Sequence, residues 1–161
     1  MTTNRGRQFD FERAELLDLV EQAFFLDRVN LPAEELLFSK NWEFAELAQE
    51  LERLQLEEGR RFDFNWYGGS LRAFSPKGAA WVFGYYLRHI ICDPNAEGVD
   101  YLWYFLRSPG GSKERDHEFV SAFSSRMKET ICKFIIFYTS TAQDFELDAD
   151  AVEQAKQHWC K

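Results

Sequence analysis

Trp66, Tyr67, Arg72, Lys77, Trp81, Tyr85 and Arg88 set cations among polar-tipped aromatic rings within residues 66–88. Tyr, Trp and Arg are the residue types enriched at binding hot spots, because rigid rings and a planar guanidinium give large contact area with few rotatable bonds. Rings with interleaved arginine also suit stacking on single-stranded bases. The seven lie in a wider band, residues 62–105, that carries thirteen aromatics. Such a band either fills a core, with its polar tips bonded inside, or surfaces in part as a binding face. The expected division puts Phe62, Phe64, Phe83 and Tyr86 in the core and Tyr67, Trp81 and Tyr85 among the cations. Trp66 follows the inward phase of its segment and is still counted with the partner-binding residues.

Other constellations carry less. Glu43, Glu46, Glu50 and Glu57 repeat along one helical face. Clustered carboxylates can bind a divalent cation or move protons, but Arg53 sits among them and a solvated face explains them. Glu43-x-x-Glu46 and Glu97-x-x-Asp100 pair carboxylates, yet Pro94 and Gly98 argue against a helix at the second pair. Asp144, Glu146, Asp148 and Asp150 alternate like the start of a calcium loop, but Ala149 and Ala155 occupy the positions that need Gly and a bidentate acid. His89 and Cys92 have a metal-ligand spacing, with no clear reason for His117 or His158 to join them, so no metal site is expected. Gly68-Gly69-Ser70 and Gly110-Gly111-Ser112 lack phosphate-loop spacing, and no nucleophile elbow occurs. No catalytic residue and no cofactor are expected.

The elements that must position these residues read as mostly helical. The first eight residues read as a frayed terminus, followed by a helix over about 10–30 capped by Asp10. Pro32 opens a short helix to Phe38. Phe44, Leu47, Leu51 and Leu54 stripe a helix over 41–57, stopped by Gly59. Phe62, Phe64 and Trp66 then alternate with polar residues. With Gly68-Gly69 and Ser70–Phe74 they predict a small β-hairpin over 62–74. Ser75-Pro76 caps a helix to Cys92, apolar nearly all round and therefore central. Gly78 and Gly84 would weaken it unless a neighbour packs close there. A short helix over 100–107, a flexible connector at 108–112, one long helix over 113–138 and a last helix over 148–160 complete the chain. Phe134–Tyr138, apolar on every side, could instead form a strand.

Size and charge bound the class. At 161 residues the expected fold is one domain, an irregular helical bundle with that hairpin. The apolar share of 45% and charged share of 29% fit a globular chain. Its longest apolar run, 79–87, is too short for a membrane span. No signal sequence is read at the start, and Cys92, Cys132 and Cys160 are expected as free thiols of a cytoplasmic protein. The net charge of −8 divides unevenly, −7 over residues 1–60, +2 over 61–135 and −3 over 136–161. Nucleic acid is therefore not the expected partner. The expected function is a non-enzymatic regulatory or adaptor protein that binds a protein partner through the hairpin and the central helix. Alternatives are a small-molecule or pigment-binding protein, an enzyme among the options, with Gly78 and Gly84 making room for the ligand, and an acidic mimic of nucleic acid using Glu43, Glu46 and Glu50.

Overall fold

Ser75 and Pro76 set the centre of the molecule. Ser75 is extended, its Oγ accepts from Gly78 N at 3.0 Å, and Pro76 fills the first helical position. The helix they open, Pro76–Cys92, buries residues all round its circumference, among them Ala79, Trp81, Val82, Phe83, Tyr86, Leu87, Ile90 and Ile91. It becomes α4 of a mostly helical protein. The structure, a computed structural model, describes residues 4–26, 28–37, 42–56, 70–93, 99–141 and 149–161.

Before α4 in the chain come α1 (Asn4–Val20), a π-helical turn (Glu21–Phe25), α2 (Ala33–Leu36) and α3 (Trp42–Leu56). After it come α5 (Val99–Arg107), α6 (Lys113–Ser121), α7 (Ser125–Thr141) and α8 (Ala149–Trp159). α1 lies against α4 and α7, α2 and α6 against α4, and α8 against α5 and α7. Among the described residues no helix is long and apolar enough to cross a membrane.

The hairpin is not supported. Ser70–Ala73 form a 3-10 turn, and Phe74 makes one isolated antiparallel bridge to Leu37. The reason is local: Ser75 N donates to Leu36 O at 2.9 Å and Ser75 Oγ to Glu35 O at 2.7 Å, so this segment pairs with the end of α2. The expected first strand and the Gly-Gly turn, residues 62–69, lie outside the described residues.

Four further differences have physical causes. α1 begins at Asn4, and Asp10 is an internal residue paired with Arg13 at 3.2 Å rather than a cap. The expected long helix is two, because Ser124 Oγ accepts from Met127 N at 3.2 Å and starts α7 afresh after α6 has ended. Glu50 is only 5% exposed and engaged, unlike a solvated residue. It shares the face of Leu47, Leu51 and Leu54, all buried, and its burial weakens the nucleic-acid-mimic reading. Cys132 and Cys160 form a disulfide, while Cys92 is free and exposed. They are 28 residues apart in sequence, and the packing of α8 on α7 brings their Cα atoms to 5.0 Å.

The glycines of α4 accommodate the protein itself. A Cβ on Gly78 would lie 1.8 Å from Leu36 O, and one on Gly84 would lie 2.6 Å from Phe24 Cβ. Both positions let another element approach the helix, so neither opens a ligand pocket. The 108–112 segment is a pinned turn. Asp116 accepts from Gly110 N at 2.7 Å and from Ser108 Oγ at 3.1 Å, and Gly111 takes a positive φ of 82°.

Candidate functional site

Lys77, Trp81, Tyr85 and Arg88 follow one another at helical spacing along a single stripe of α4. The π turn before them decides what covers that stripe. A π turn adds a residue to the helical count and rotates the faces that follow. Phe24 is turned into the core, and Phe25 is directed to the stripe, edge-on to Tyr85 with ring centroids 5.1 Å apart.

Arg28 then lies across the rings. Its Cζ is 3.4 Å from the Trp81 ring centroid, 4.7 Å from that of Tyr85 and 5.0 Å from that of Phe25. Arg28 Nη2 donates to Trp81 O at 3.0 Å, and Trp81 Nε1 donates to Val29 O at 3.2 Å. This reciprocal pair clips the 28–29 backbone onto α4. Arg88 also lies against Phe25, its Cζ 4.0 Å from the ring centroid, and forms an ion pair with Glu21. The result is a cluster in which Arg28 contacts three rings and Arg88 two of them, each contact worth about 0.5–2 kcal/mol according to its desolvation.

The two cations differ in how their charge is answered. Arg88 has its carboxylate. Arg28 Nε and Nη1 are buried without a hydrogen-bond partner among the described residues. Burial is the main cause that draws the Arg28 pKa down to about 10; Tyr85 acts against it and Arg88 adds to it. A cation held in this way favours any anion that can approach it.

A cleft of about 430 Å³ opens beside this cation. Arg28, Lys77 and Arg126 line it together with Trp81, Phe24 and Met127, and no carboxylate is among its described lining residues. Lys77 is paired with Glu35 at 3.1 Å, and Arg126 is exposed at the start of α7. Leu26 and Val29, about 70% exposed each, flank Arg28 in sequence. The arrangement can hold an anion over a polarisable aromatic floor with apolar contacts beside it. Its described lining residues include no nucleophile paired with a base. No group of three metal-ligating residues occurs among the described residues.

Of the residues anticipated for binding, Lys77 and Trp81 line the cleft, and Tyr85 and Arg88 continue the stack beyond it. Trp81 is 8% exposed, so its indole is covered by Arg28 and does not protrude as an anchor. Arg72 is placed by its backbone alone, in the 3-10 turn, and Trp66 and Tyr67 lie outside the described residues. Phe83 and Tyr86 are core residues as expected; Phe62 and Phe64 lie outside the described residues. Sequence reasoning missed Phe25, Arg28 and Arg126. The available signal was the Phe24-Phe25 pair at the end of an amphipathic helix, where only one ring can face inward. No family model, curated protein or solved structure matches the chain, so the reading of this site rests on its own residues.

Proposed function

We propose that this protein is a non-enzymatic binding protein of regulatory or adaptor type, which takes an acidic segment of a protein partner at the Arg28 cleft on α4. One observation carries the reading: a half-buried guanidinium, stacked on Trp81, faces a cleft lined by two further cations and, among the described residues, by no carboxylate. An Asp or Glu side chain of the partner would answer that charge, and Leu26 and Val29 would cover apolar residues beside it. Charge–π clusters of this composition are common where binding energy concentrates. The global charge of −8 opposes an acidic partner at long range. Beyond a Debye length of about 8 Å at physiological salt that repulsion is largely screened, and the local cations decide.

The test is a pair of peptide libraries, one with Asp/Glu flanked by Leu or Val and one with Asn/Gln in the same positions, read by fluorescence anisotropy. The acidic library should bind, weaken with salt, and lose about tenfold in affinity, near 1.4 kcal/mol, against Arg126→Glu. Equal binding of both libraries would falsify the reading. The cleft volume also lies in the range of small-ligand sites. Binding of small dicarboxylates with no response to either library would move the assignment to a small anion.

A further inference from the structure

We propose that the Cys132–Cys160 bridge is an exchangeable disulfide, opened by a small thiol that carries carboxylates. The bridge ties the middle of α7 to the residue after α8, and both cysteines are half-buried along a second cleft, of about 900 Å³. Lys113, Lys128, Lys161, His117 and His158 line the same cleft, against Asp116 and Glu129. Both carboxylates are already occupied. Asp116 accepts from Ser108 and Gly110 and lies 3.7 Å from His158 Nε2, and Glu129 pairs with Lys133 at 3.4 Å. No ion pair joins Lys113, Lys128 or Lys161 to a carboxylate among the described residues. Three lysines with no carboxylate partner among the described residues therefore line the cleft that the disulfide borders.

Thiol–disulfide exchange needs access to one sulfur and stabilisation of the other as it leaves. The cleft supplies the access. Lys128 precedes Cys132 by four residues on α7, which puts both on one helix face and favours the Cys132 thiolate. Cys160 follows the C-terminal end of α8, where the helix dipole disfavours an anion. The incoming thiolate accordingly forms a bond to Cys160 Sγ, the Cys132–Cys160 bond breaks, and its electron pair leaves on Cys132. A second thiolate attacks the small-molecule sulfur of the mixed disulfide and releases the Cys160 thiolate. Two thiols are oxidised to one disulfide, the protein bridge is reduced, and both protein thiolates take protons from water. The lysines raise the local concentration of a thiol bearing carboxylates. The fold outlasts the opening, because Trp159 remains anchored by its rings and by its bond to Leu106 O at 3.0 Å.

The experiment treats the native protein with glutathione, a thiol with two carboxylates, and with cysteamine, a cationic thiol, at equal thiolate concentration. Alkylation and intact mass follow the free thiols, and a disulfide-bridged unfolded peptide gives the intrinsic ratio of the two rates. Free thiols should rise from the single Cys92 to all three cysteines in folded protein, with a transient glutathione adduct on Cys160. Relative to the peptide, glutathione should be favoured roughly fivefold, and Lys113→Gln with Lys128→Gln should bring that preference close to one. A bridge that resists both thiols until urea unfolds the chain overturns the proposal, as does a native protein with no preference between them. An adduct on Cys132 in place of Cys160 overturns the assignment of the leaving sulfur.

Discussion

Trp81 and Trp159 do the same thing in two regions of the molecule and end in different environments. Each donates its indole N–H to a backbone carbonyl far away in sequence, Trp81 to Val29 O and Trp159 to Leu106 O. Each clips a distant segment to the helical centre. Trp159 is then enclosed by Phe123, Phe105 and Phe83 with ring centroids at 4.9, 6.2 and 6.4 Å, and is 2% exposed. Trp81 is covered instead by a guanidinium whose charge has no described carboxylate partner. A ring covered by rings completes a core. A ring covered by a cation with no described counter-charge is what the proposed anion site rests on.

The largest expected effect tests the core half of that contrast. Trp159→Ala removes a fully buried ring and strands Leu106 O, and should destabilise the protein by about 3–5 kcal/mol in urea unfolding. A loss below 1 kcal/mol would mean that the aromatic cluster closes without it, and the contrast with Trp81 would fail. Next in size is the bridge beside it. Joining residues 28 apart in sequence removes loop entropy from the unfolded chain; the loop model gives about 3–4 kcal/mol, so Cys132→Ser with Cys160→Ser should lower stability by that order. The far-ultraviolet spectrum should be unchanged, since α8 stays docked through Trp159.

The elements that were legible in the sequence are those whose signals are local. α4 runs over the residues anticipated because Ser75-Pro76 caps it and Asp93-Pro94 forbids its continuation. α3 is equally clear from its leucine stripe. The break at 122–124 was hidden because Ser124, a small polar residue that a continuous helix also tolerates, is the cap of a new helix. The site was half legible. Lys77, Trp81, Tyr85 and Arg88 share a stripe that helical spacing alone reveals. Arg28 reaches Trp81 across 53 residues of sequence by way of a π turn, and Cys132 meets Cys160 through helix packing. Neither meeting has a local pattern to announce it.

A smaller effect separates the two tryptophans by chemistry. Trp81→Phe keeps an aromatic floor for Arg28 but removes the donor to Val29 O, and Val29 is itself largely exposed. Water can reach that segment, so the expected loss is about 1 kcal/mol, measured by urea unfolding. A loss as large as that of Trp159→Ala would put Trp81 with the core residues and remove the distinction drawn above.

The smallest expected change in stability is also the sharpest test of what the cation does. Arg28→Met deletes the bond to Trp81 O and the stacking on three rings, which favours the wild type. It also deletes a desolvated charge and two buried donors that lack partners, which favours the variant. Met fills much of the same apolar volume, as the stem of a long cationic side chain does. These terms oppose one another, so the net change should stay within about 1 kcal/mol. Binding of the acidic peptides should fall by more than about tenfold, because the charge that the cleft offers is gone. If Arg28→Met instead unfolded the protein, the guanidinium would be a structural cap over Trp81, equivalent to the rings over Trp159. If stability held and acidic binding also held, Lys77 and Arg126 would carry the recognition without it. Only unchanged stability with lost binding fits a cation retained for a partner.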